Sequence, residues 1–160
     1  VGAGQHQGDL ELINTVVHEL AIEVDWVFMG MCTEEIKPLL KEFHGFVSIG
    51  DYPKKMSELD LDIAIAPIED NFFNQCKSNL RLLEYGAMGW PVVCSDVYPY
   101  QSDKPPVVRV KNDPVEWVKA IRSLYDSKLR HAKAEELHQW VMSRYRLEVK
   151  SKAWYQSIFE

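Results

Sequence analysis

Six short apolar runs, all but the fifth followed by a stretch of helical period and the fifth by a Tyr98-Pro99-Tyr100 loop, constrain this chain more than any other feature. They are Val1–Gly4, Val24–Gly30, Phe46–Ile49, Asp62–Ile68, Val92–Cys94 and Val107–Val110. Every gap between them is long enough to hold a crossover, and consecutive strands joined by helical crossovers pair in parallel with right-handed connections. The Val24–Gly30 run is almost wholly apolar, as a strand covered on both faces must be. The expected fold is therefore α/β: a Rossmann-like parallel sheet with helices on both faces, in the order 3-2-1-4-5-6. In such a sheet ligands bind at the carboxyl ends of the strands, at the crevice between strands one and four.

The connecting helices are legible from their periods. Asp9 opens one carrying Leu10, Ile13, Val16, Val17 and Leu20. Thr33 caps a second with Glu34 and Glu35 in its first turn, which Pro38 shortens or kinks. A short third helix follows Gly50-Asp51-Tyr52-Pro53 and contains Met56 and Leu59. After Asp113 the period is helical throughout: Trp117, Ala120, Ile121 and Leu124, then Leu129 to Tyr145. A last helix with Val149, Trp154, Ile158 and Phe159 reads as core packing rather than a membrane anchor.

The stretch Phe73–Asp96 carries the chemistry. Asn74 suits an N-cap, and Cys76, Leu80, Leu83 and Ala87 fall at helical spacing as a core-facing stripe. Gly89 suits a left-handed cap residue, and Pro91 forbids further helix before Val92 and Val93. The first turn holds Lys77 and Ser78 and no acid, although the positive helix end favours anions. Backbone amides, a hydroxyl and an ammonium at one point describe a phosphate site. Two turns on, roughly 10 Å away at the usual rise, Glu84 is placed to accept from ribose hydroxyls; the alternative for Lys77 and Glu84 is a surface pair on an ordinary amphipathic helix. At the start of the chain, small residues such as Gly4 allow a ligand close to the backbone.

Composition excludes several classes. The 160 residues, 46% of them hydrophobic, suit one domain with a proper core. A formal charge of −6 with dispersed acids and no basic arm argues against nucleic acid. Three cysteines, Cys32, Cys76 and Cys94, read as buried free thiols in a reducing, cytoplasmic setting. No run approaches the roughly 18 apolar residues of a membrane span. No metal site is expected: there is no CxxC or HExxH, and Asp60-x-Asp62 precedes a strand, at the wrong end of the sheet.

The stretch Glu84-Tyr85-Gly86-Ala87-Met88-Gly89-Trp90-Pro91-Val92-Val93 resembles the nucleotide-sugar-binding half of GT-B fold, group 1 retaining glycosyltransferases. That family commonly spells E-x7-E followed by A-M-A-x-G-x-P-V-V. A longer subgroup pattern, F-N-x-x-K-S-x-L-(K/R)-x-L-E-Y, is matched by Phe73, Asn74, Lys77, Ser78, Leu80, Arg81, Leu83, Glu84 and Tyr85. The family's first Glu, which touches the donor sugar, falls on Cys76. The resemblance implies that Glu84 holds the ribose and that Lys77 and Ser78 stabilise the leaving diphosphate without a metal or cofactor. It implies donor contacts from Asn74, Cys76 and Asn79, from Gly4 and His6 in the first loop, and from Gly50 and Tyr52 near the base. The donor would be a UDP- or GDP-sugar and the acceptor a glycan or lipid-linked molecule, as in polysaccharide biosynthesis. It further implies a donor-binding domain over residues 1–145 and a final helix, 146–160, directed toward a separate N-terminal acceptor-binding domain. The fragment alone would then bind donor and transfer little, cytoplasmic or peripheral to the inner face of a membrane. A sugar-nucleotide epimerase and a non-catalytic receiver-like or flavodoxin-like module are the alternatives.

Overall fold

A computed structural model describes residues 7–159 of the chain. The described elements run α1 (Gln7–Glu11), α2 (Asn14–Glu19), β1 (Val27–Met29), β2 (Glu42–His44), α3 (Tyr52–Ser57), β3 (Ala64–Ala66), α4 (Phe72–Gln75), α5 (Leu80–Ala87), β4 (Val92–Ser95), α6 (Tyr98–Gln101), β5 (Val108–Val110), α7 (Pro114–Ser123), α8 (Ser127–Arg144) and α9 (Leu147–Phe159). The described strands pair only in parallel, β1 with β2 and β3-β4-β5 in that order. This is the α/β, Rossmann-like architecture that the alternation of strands and helices demands. The expected first strand, Val1–Gly4, lies outside the described residues.

The strand β4 shows how the sheet is covered on both faces. Val93 packs with Ile13, Val16, Val17, Leu20 and Trp117 beneath α2 and α7. Its neighbours Val92 and Cys94 point the other way, among Leu82, Tyr85, Leu137 and Val141 of α5 and α8. The period of two in a strand separates these sets, so each strand residue belongs to one core or the other. Ala64 and Ala66 of β3 join the second core, and the partly buried Ile63 and Ile65 pack against the first.

Several local readings change. The strand after β1 is Glu42–His44, not Phe46–Ile49; Lys41 and Glu42 both donate backbone N–H to the Trp26 carbonyl, which sets this register. Phe46 and Ile49 are exposed, Ile49 at 94%. The apolar run therefore lies beyond the carboxyl edge of the sheet. The Thr33 helix is reduced to one 3₁₀ turn, Lys37–Leu39, with Pro38 at its start. Thr33 donates its hydroxyl to the Asn14 side chain rather than capping. The first helix is split between α1 and α2 and already includes Gln7, before Asp9.

The C-terminal half follows its sequence more closely. Asp113 caps α7, accepting from the amides of Val115 and Glu116, and Trp117, Ile121 and Leu124 are fully or nearly fully buried. Asp126 caps α8. The last helix differs: Trp154 is 65% exposed and Ile158 70%, so its apolar face does not pack into this chain's core. Among the described residues no helix is long and apolar enough to cross a membrane.

Candidate functional site

The carboxyl ends of β3 and β4 are tied together by buried polar bonds. Ser95 accepts from the Ile68 amide at 2.9 Å and donates to Asn112 at 2.7 Å, while Asn112 returns a bond to the Ile68 carbonyl. With its backbone held at both ends, Ile68 delivers Glu69 in a set position. The Glu69 amide then donates to Asp9 Oδ1 at 2.8 Å. This ties α1 to the β3 exit and brings two distant segments to one crevice.

The helix expected from Asn74 onward is two helices. Asn71, not Asn74, caps the short α4, its side chain accepting from the Asn74 amide at 2.9 Å. Asn74 is buried within α4, donating to Asp9 Oδ1 and the Glu69 carbonyl. The four residues Cys76–Asn79 form the link, and Ser78 Oγ accepts from the Leu80 amide as α5 begins. Asn79 occupies the cap position of α5 without a side-chain cap bond, and its buried Nδ2 has no hydrogen-bond partner among the described residues.

This break rotates the buried stripe. Leu82, Tyr85 and Gly86 face the core, whereas Cys76, Leu80 and Ala87 are exposed. Gly86 permits the approach of α8, since a Cβ there would stand 2.7 Å from Val141 Cγ2 and 2.9 Å from Leu137 Cγ. The C-terminal reading holds. Gly89 has φ +77°, the Trp90 amide bonds the Tyr85 carbonyl, and the Gly89 amide bonds the Gly86 carbonyl. That is a Schellman motif, with the Tyr85 and Trp90 rings 5.9 Å apart as its apolar contact.

Among the described residues, one cavity opens at the carboxyl ends of the strands. Tyr52, Lys77, Ser78, Arg81, Glu84 and Tyr100 line it, together with Asp9. Of the residues expected at the site, Tyr52, Lys77, Ser78 and Glu84 are thus brought together. Gly50, Asn74, Cys76 and Asn79 are not among the lining residues, and Gly4 and His6 lie outside the described ones.

Two of the lining residues have partners that spacing does not reveal. Lys77 Nζ stands 3.7 Å from Asp9 Oδ2, whose side chain is only 6% exposed, and 5.2 Å from the centre of the Phe73 ring. The ammonium already has a counter-charge. Glu84 Oε2 accepts from the Tyr52 hydroxyl at 3.1 Å, which links α5 to α3. Burial and the neighbouring Glu84 carboxylate push the Tyr52 phenol well above its ordinary range, so it remains a donor.

Arg81 and Tyr100 have no individual role in the sequence reading. Arg81 lies near the phenols of Tyr85, Tyr100 and Tyr52, which raise its pKa against the opposing effect of burial, the largest single influence. Burial likewise pushes Tyr100 well above its usual range, with Arg81 pulling the other way. Arg81 was visible in the subgroup pattern as a basic position. Tyr100 was not, because its place follows from the short α6 after β4.

The three cysteines are free. Cys94 is sealed in β4 and its thiol is pushed up to about 12 by burial. Cys32 is half-buried and is raised by the same cause. Cys76 is exposed, contrary to its place on the expected stripe, because the chain leaves helix at that residue.

No known protein-family model and no curated protein matches this chain.

Proposed function

We propose that this chain is the donor-binding domain of a glycosyltransferase, taking a UDP- or GDP-sugar at the carboxyl ends of its parallel strands. The observation that carries the reading is the convergence of Lys77, Ser78 and Glu84 with Tyr52 on one cavity in a parallel α/β fold. Such sheets bind nucleotides at that end. The sequence pattern from Phe73 to Val93 supports the finer assignment. With Glu84 Oε2 engaged by Tyr52, Oε1 is the oxygen left for the ribose hydroxyls. Cationic charge on the wall of this cavity opposes the charge that grows on the diphosphate as the sugar bond breaks, so catalysis is electrostatic. The acceptor and the groups that handle it belong to a partner domain, and this chain alone binds donor without transferring it.

Isothermal titration with UDP, GDP, their nucleosides and 2′,3′-dideoxy analogues, in chelator, tests the reading. Glu84→Ala weakens the natural nucleoside and its diphosphate alike, by about 1.5–3 kcal/mol for hydrogen bonds to a charged group. The dideoxy ligand is indifferent, because its hydroxyls are already absent. An equal penalty on both ligands removes Glu84 from the ribose. Failure of both diphosphates to bind refutes the assignment.

A further inference from the structure

Lys77 is the obvious anion contact by sequence, but its charge is already balanced. Asp9 sits 3.7 Å away and is itself held by the Glu69 amide and the Asn74 side chain, so it cannot readily swing aside. A phosphate drawn to Lys77 also meets this carboxylate. The pair is close to neutral as seen from the cavity.

Arg81 is different. It lines the same cavity, one turn further along the chain, and no carboxylate lies within ion-pair distance of it among the described residues. Glu84, three residues on and the ordinary partner for such a spacing, is engaged by Tyr52 instead. The polar groups near the guanidinium are the phenols of Tyr52, Tyr85 and Tyr100. Three neutral phenols supply no counter-charge. A partly buried guanidinium beside neutral groups is uncompensated, and burying charge without a partner is unfavourable.

We infer that Arg81, rather than Lys77, is the principal diphosphate contact of this cavity, with the Tyr100 phenol beside it on the cavity wall. A planar guanidinium matches two oxygens of a phosphate in a forked geometry that an ammonium cannot reproduce. Lys77 and Asp9 then act together as a neutral, rigid wall that holds the α4–α5 link in place. The inference rests on the nucleotide-diphosphate reading for the identity of the ligand, but the anion site itself is separable from it.

The probe is inorganic pyrophosphate, titrated calorimetrically into the 160-residue chain in chelator, alongside UDP, GDP and their nucleosides. The wild-type chain binds pyrophosphate. Arg81→Gln weakens it about tenfold or more, the loss expected when hydrogen bonds to a charged group are removed. Arg81→Lys, which keeps the charge and the fold but loses the fork, weakens it about threefold to tenfold. Lys77→Met stays within about threefold, as expected of a cation already screened by its partner. The inference is overturned if wild type shows no binding up to about 1 mM pyrophosphate, if folded Arg81→Gln and Arg81→Lys both bind as wild type does, or if Lys77→Met alone abolishes binding. Arg81-dependent pyrophosphate binding by a chain that ignores UDP and GDP sustains the anion site and refutes the nucleotide reading. Nucleoside binding with no dependence of pyrophosphate on Arg81 does the reverse.

Discussion

Asp9 is the residue whose replacement separates folding from binding in this chain. Its carboxylate accepts from the Glu69 amide at 2.8 Å and the Asn74 side chain at 3.2 Å, and pairs with Lys77 at 3.7 Å. Asp9→Ala leaves the part-buried Glu69 amide without this acceptor, at about 1–3 kcal/mol. Asn74 loses less, because it still donates to the Glu69 carbonyl. Lys77 is 24% exposed and can turn toward water, so its lost partner adds only about 1 kcal/mol. The sum is about 2–4 kcal/mol, below the loss of a fully buried ion pair. At about 2–4 °C per kcal/mol for a domain of this size, the melting temperature falls by about 4–16 °C. Asp9→Asn keeps an oxygen for the Glu69 amide and removes only the charge, so its loss is smaller, about 1–2 kcal/mol. Binding moves the other way. Deleting a negative charge within a Debye length of the bound anion strengthens pyrophosphate binding by about threefold to tenfold in Asp9→Asn. Urea unfolding followed by tryptophan fluorescence gives the first quantity and calorimetry the second. An Asp9→Asn protein that is as stable as wild type, or that binds pyrophosphate more weakly, refutes this account of the Asp9–Lys77 pair.

Gly86→Ala puts a methyl group against Val141 and Leu137 and costs about 1–3 kcal/mol by overpacking, offset by up to about 1 kcal/mol of helix propensity. Val141→Ala in the same chain relieves part of the clash, and a double-mutant cycle in urea shows a favourable coupling; strict additivity refutes the close approach of α5 and α8. Under native conditions an alkylating reagent followed by mass spectrometry labels Cys76 first, Cys32 more slowly and Cys94 only on unfolding, following exposure and the upward shift of the two less accessible thiols. Rapid native labelling of Cys94 contradicts its burial in β4.

The sequence by itself determined the α/β class, because short apolar runs separated by crossover-length helical stretches have few other ways to bury their faces. It also determined α7 and α8 and the Gly89–Pro91 turn, where a cap residue, a glycine or a proline acts through local backbone chemistry alone. Arg81 and Glu84 were legible as polar positions in a pattern, and Tyr52 as the residue opening α3. Tertiary structure decided the rest. Phe46–Ile49 looks more strand-like than Glu42–His44, but the strand is chosen by amides that reach the Trp26 carbonyl, a contact between segments that composition does not encode. The helix at Asn74 divides because Asp9 and Glu69, distant in sequence, take the Asn74 side chain into a buried network and leave Asn71 to cap. That division turns Cys76 outward and Leu82 inward. The same network assigns Lys77 a partner and, among the described residues, leaves Arg81 without a carboxylate. Charge order along a helix is local, whereas charge balance in a crevice depends on which loops the sheet brings to its carboxyl edge.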